Sequence, residues 1–165
     1  MRALDAGVLA PDFTLPTVDG KRMSLAEALK KGPVLLAFFK VSCPVCQYAF
    51  PYFERLFQAN RADNVTVLGV SQDDRKKTRQ FLKEFGVSFP VAIDESHHYA
   101  VSNAYGLTNV PTAFLIAPGG EIEVSSVGWS KRDVEAVNER LAQYRAQSPV
   151  PLWRAGESIQ EFRGG

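Results

Sequence analysis

The 165-residue chain holds two cysteines, and they stand three positions apart at Cys43 and Cys46. Sulfurs at that spacing on a helix share a face and close a disulfide with little movement, so the pair can cycle between dithiol and disulfide. The apolar run Val34 to Phe39 comes just before, too short for a helix of its own, and reads as a buried strand. Ser42-Cys43-Pro44-Val45-Cys46 then opens a helical segment, with Pro44 at the first helical position, where its missing N–H is no loss. Cys43 therefore faces backbone N–H groups that lack intrahelical partners and the positive end of the helix dipole, a setting that favours a thiolate. A free cysteine has a pKa of about 8.5, and such settings bring it down to about 3.5 to 7.5. Cys43 is thus expected to be the nucleophile that attacks a substrate disulfide, and Cys46 the thiol that resolves the mixed disulfide.

Other chemistry is poorly supplied. A structural zinc would need about four ligands, and the remaining candidates, His97 and His98, are adjacent and lack metal-finger spacing, so no metal is expected. Both histidines read as solvated surface residues. Two cysteines are too few for a disulfide scaffold, and no cofactor is expected beyond a redox-active Cys43–Cys46 disulfide. A net charge of +1 gives no reason to expect nucleic acid or an acidic membrane surface as a partner. No window approaches the roughly 20 apolar residues of a membrane span. The opening residues MRALDAGVLAPDF lack the apolar core of a signal peptide. As written the chain reads as cytoplasmic, and as extracytoplasmic if a leader or anchor has been lost.

The elements that must position the cysteines follow from periodicity. Residues 1–33 form an extension, with a small hairpin around Asp19-Gly20 and a short helix capped by Ser24 and Glu27. The helix from about Cys43 to Ala59 is apolar on nearly every side, Tyr48 and Phe50 included, and should lie buried with a kink at Pro51. Val65 to Val70 reads as a second buried strand. Asp73 or Asp74 can cap the next helix, and Asp94 can cap another that ends near Tyr105-Gly106. Thr112 to Ala117 and Glu121 to Val127, joined through Gly119-Gly120, have the signature of a hairpin, and Ser130 with Asp133 starts the last helix. One domain is expected over residues 1–147, followed by a tail over 148–165 that Trp153 docks. Early βαβ units followed by an antiparallel pair make an α/β fold with a mixed central sheet and helices on both faces.

With those elements in place, the chain resembles the thioredoxin-fold redoxins. More narrowly, it is similar to the TlpA-like thiol:disulfide oxidoreductases that share an N-terminal extension with the alkyl hydroperoxide reductase/thiol-specific antioxidant proteins. The resemblance covers roughly Ala10 to Leu141. It rests on APDFTL at Ala10 to Leu15, on Cys43-Pro44-Val45-Cys46 with Pro51 eight residues after the first cysteine, and on Val110-Pro111-Thr112 before an apolar strand. It implies a thioredoxin-like fold and a cis Val110–Pro111 bond beside the cysteines. Pro44, Val45 and Pro111 then shape the site, and Val110 and Thr112 receive an extended substrate segment. Protein thiols and disulfides are the implied partners, together with an electron donor or acceptor that sequence does not identify, and the working unit is expected to be a monomer with an antioxidant, redox-homeostatic role.

The departures are as informative as the matches. Thioredoxins carry a buried Asp where this chain has Ala37, and cytochrome c maturation members show a Glu where it has Ala49. The usual Trp before the motif is Ser42. Proton transfer from Cys46 is left to water, to Lys40 or to a residue brought in by the fold. Two other readings stay open here. A peroxiredoxin-like thiol peroxidase would react through Cys46, but the Thr or Ser and the Pro that such proteins place upstream are here Cys43 and Phe39. A binding domain of the same fold would use its cysteines only structurally.

Overall fold

A computed structural model describes residues 2–95 and 98–165. Its centre is the strand β3 (Val34–Phe39), whose six residues are all buried. β4 (Thr66–Ser71) runs parallel to it on one side, and β6 (Thr112–Ile116) runs antiparallel on the other. β5 (Val91–Ile93) and β7 (Ile122–Val127) complete a five-stranded sheet in the order β5-β4-β3-β6-β7. A central strand covered on both faces has no polar side to present, which is why Val34 to Phe39 is an unbroken apolar run rather than an alternating one.

The pleat divides that run between two cores. Leu35, Ala37 and Phe39 face the long helix α2 (Pro44–Ala59), together with α3 (Arg75–Glu84) and α5 (Lys131–Tyr144). Val34, Leu36 and Phe38 face α4 (Ala100–Ala104) and the N-terminal extension. That extension is the hairpin β1 (Thr14–Pro16) and β2 (Arg22–Ser24), followed by α1 (Leu25–Leu29), with the Ser24 hydroxyl accepting the Glu27 N–H as its cap. It also protects the sheet edge, since the Val18 N–H donates to Val91 O at 2.9 Å alongside the edge strand β5.

Two elements differ from the sequence expectation. The helix that Asp94 was expected to start begins only at Ala100, yet Asp94 still caps it. Its fully buried carboxylate accepts the N–H groups of Val101 and Ser102 at 3.2 and 2.8 Å and the Ser102 hydroxyl at 2.8 Å. The tail, expected only to dock through Trp153, forms a further strand. β9 (Phe162–Arg163) pairs antiparallel with β8 (Trp129–Ser130), the short strand that leads into α5. Pro51 lies inside α2, which continues through it to Ala59.

Candidate active site

β3 delivers the chain to the site, and a turn over residues 40–42 carries it into α2. The turn is held at Val41 from two sides. Its N–H donates to the Asp73 carboxylate at 2.8 Å, and its carbonyl accepts from the Gln47 amide at 3.0 Å. Asp73 and Asp74 thus divide the work that sequence left open, because Asp74 caps α3 by accepting the Lys77 N–H at 2.8 Å.

Cys43 is the N-cap residue of α2, with extended backbone (φ −83°, ψ 115°). Its sulfur accepts the Cys46 N–H at 3.2 Å, the position a Ser or Asp side chain ordinarily takes at a helix start. On its other side the thiol donates to the Val110 carbonyl at 3.4 Å. Residues 67 positions apart therefore meet at one sulfur. Cys43 is partly exposed and Pro44 exposed, whereas Val45 and Cys46 are buried.

Cys46 lies at 0% exposure in an apolar cluster with Ala37, Phe39, Ala49 and Phe50. Burial pushes its thiol well above the ordinary range. The Cys43 sulfur adds to that shift, and the Lys40 backbone counters part of it. Ala37 and Ala49, the two positions where the family resemblance would place acids, are both fully buried in the same cluster. Both thiols are free.

The remaining site candidates fall unevenly. The Val110–Pro111 bond is cis, and Pro111 is buried. Thr112 is also buried, and its hydroxyl donates to the Asn109 carbonyl at 2.8 Å, so its side chain braces the loop. The Lys40 side chain is exposed and, with Gln72, Asn109, Val110 and Gly165, lines a cleft of about 350 Å³. Its carbonyl accepts the Cys43 N–H at 3.3 Å, so the contact with the cysteine runs through the main chain. Tyr48 packs edge-on against Trp129 with ring centres 5.2 Å apart, and Phe50 stacks on Phe39 at 4.3 Å, as core packing requires. His98 is exposed in a turn, and His97 lies outside the described residues. Among the described residues no group of three or more His, Cys, Asp or Glu could hold a metal ion.

Gln47, Gly165 and the role of Asp73 at the cysteine turn were not indicated by sequence. A single Asp beside a second one reads as one cap or the other, and nothing local shows that its partner is a backbone amide 32 residues earlier. A terminal glycine carries no signal at all.

With the cysteine pair at a helix start beside a cis-proline loop, the profile of the AhpC/TSA family matches residues 6–125. The chain belongs to the AhpC/TSA family. It is 33% identical over 135 residues to thiol-disulfide oxidoreductase ResA of Geobacillus thermodenitrificans, a match that covers 81% of this chain and 76% of that one. The ResA of Halalkalibacterium halodurans is 34% identical over 138 residues, covering 82% and 77%. Among solved structures, a thiol-disulfide oxidoreductase from Bacteroides fragilis superposes with a TM-score of 0.71 at 26% identity, over 83% of this chain and 99% of that chain. A Chlorobium tepidum structure described as a DsbE thiol:disulfide interchange protein gives 0.74 at 29%, over 86% and 98%. The fold is thioredoxin-like, and within it the Cys43–Cys46 pair makes the chain a TlpA-like thiol-disulfide oxidoreductase.

Proposed function

We propose that the protein exchanges electrons with disulfides of other proteins through the Cys43–Cys46 pair. The observation that carries the reading is the half-exposed Cys43 sulfur at the start of α2, which meets the Val110 carbonyl of the cis-proline loop on one side and the N–H of the buried Cys46 on the other. An exposed sulfur is open to attack on a substrate disulfide, and a buried one three residues on is kept for resolving the mixed disulfide. In the forward reaction the Cys43 thiolate bonds to one substrate sulfur, and the other substrate sulfur leaves and takes a proton. Cys46 then loses its proton and attacks the Cys43 sulfur. The Cys43–Cys46 disulfide forms, the second substrate sulfur leaves, and the substrate has gained two electrons and two protons. Water is the proposed carrier of the Cys46 proton. The Val110 backbone is the edge along which an extended substrate segment would pair, and Pro44, Val45 and Pro111 keep the two sulfurs and that edge aligned. One chain supplies every residue of the site, so the proposed working unit is the monomer.

Insulin reduction with dithiothreitol tests the activity, because Cys43→Ser should abolish the catalysed rate and equal turnover in the parent and the variant would end the reading. Equilibration with a glutathione buffer reads the direction, because a potential near about −270 mV makes the pair a reductant and one near about −120 mV an oxidant. A thiol peroxidase would instead consume hydrogen peroxide after loss of Cys43 but not after loss of Cys46.

A further inference from the structure

The tail beyond α5 takes a defined path to the reacting sulfur. Arg55 anchors its first part, donating to the Leu152 carbonyl at 2.8 Å and bidentately to the Glu157 carboxylate at 2.8 and 2.5 Å. Further on, the Trp129 indole N–H donates to Gln160 O at 2.6 Å, Gln160 N–H donates to the Tyr48 hydroxyl at 3.0 Å, and Lys131 N–H donates to Glu161 O at 3.0 Å. β9 pairs with β8, and the Arg163 guanidinium lies 5.3 Å from the Tyr48 ring centre. The chain then crosses Gly128, where an added Cβ would stand 2.5 Å from Arg163 O and 3.2 Å from Gly165 N. It reaches Val110, where a Cβ on Gly165 would collide with the Val110 carbonyl. The Asn109 amide donates to Gly165 O at 3.0 Å and holds it there. That same Val110 carbonyl accepts the Cys43 thiol.

We propose that Gly164 and Gly165 are a specificity-determining element, which covers the Val110 backbone and makes the site favour compact disulfides over those carried in an extended polypeptide. An extended chain gains affinity by pairing its own N–H and C=O groups with an open backbone edge. With Gly165 against the Val110 carbonyl, such a chain must first displace the strap. A small disulfide needs only the exposed side of the Cys43 sulfur. Glycine is required at Gly165 because any side chain there would meet the Val110 carbonyl.

The inference rests on the reading of Val110 as the substrate-aligning residue, and a stop after Arg163 tests it while leaving Arg55, Tyr48, Trp129 and β9 in place. Reduction of insulin should gain roughly 2- to 10-fold in kcat/KM, the worth of one backbone hydrogen bond. Reduction of 5,5′-dithiobis(2-nitrobenzoic acid) should stay within about twofold of the parent, which on that scale is under half a kcal/mol. Should the shortened chain fold poorly, full-length Asn109→Ala releases Gly165 alone and should move the insulin rate in the same direction by less. An active parent whose ratio between the two substrates is unchanged in both variants overturns the strap. A parent inactive on both disulfides overturns the exchange reading itself.

Discussion

Two segments flank the core of this protein, and the balance of burial and directed contacts differs between them. The N-terminal extension lies on the face of β3 away from the cysteines and is held mainly by apolar burial, with Phe13, Leu15, Leu25 and Ala28 sunk in the second core. The C-terminal strap is anchored on the cysteine side by Leu152, buried in the first core, and by Trp153 packed on Tyr52 and Trp129, and its path beyond them is set by directed contacts: one bidentate ion pair, an indole N–H, a tyrosine hydroxyl and two ladder positions. Burial is non-directional and tolerates movement along the surface. Hydrogen bonds specify where each atom goes. The extension is built to stabilise, and the strap is built to place two glycines beside one carbonyl.

Stability experiments should separate the two most strongly at Leu15, which is 1% exposed. Leu15→Ala should lower the unfolding free energy by about 2–5 kcal/mol in urea titrations. Below its melting temperature the variant should reduce insulin at the parent rate, and a slowed folded enzyme would break the contrast. Arg55→Ala comes next. It releases the start of the strap, so its loss of stability should be smaller than that of Leu15→Ala while its preference for the small disulfide over insulin should weaken. A variant that loses stability with no change in preference would make Arg55 an ordinary brace.

The smallest effect is a pH dependence. Its pairing with Arg55 lowers the Glu157 carboxyl from 4.5 to about 2. A carboxyl that is more acidic folded than unfolded contributes stability in full above pH 4.5, and that contribution is lost as the pH falls through about 2. Thermal melts of the parent should therefore fall over that window, and Glu157→Gln should flatten the fall. A slope unchanged in the variant would move the acid sensitivity elsewhere.

Much of the site was legible because its signals are local. An apolar hexapeptide followed by Cys-Pro specifies a buried strand and a helix start within a dozen residues, and Val34–Phe39, Cys43 and Pro44 lie where those rules place them. Ser24 and Ser130 cap their helices for the same reason. What escaped depends on tertiary approach. Asp94 caps across a loop instead of at the next residue, because its buried carboxylate has two amides and a hydroxyl within reach only once β5 and α4 have packed. Asp73 supports the cysteine turn from the end of a neighbouring strand. Docking of the tail through Trp153 was legible, but the strap's path was not, because its residues are punctuated by proline and glycine, a composition that marks loops, while its order comes from partners on α2, β8 and the start of α5. Thr112 carried a family-based expectation of substrate contact, and only its packing shows the hydroxyl turned toward Asn109.

The position of Gly165 also has a practical side. Whatever follows it, natural or appended, starts on the wall of the Lys40 cleft, beside the Val110 carbonyl that accepts the Cys43 thiol. An affinity tag or fluorescent fusion added there would crowd the entrance and alter the measured turnover, whereas the same label placed ahead of Ala3, on the opposite face of the sheet, would leave the entrance open.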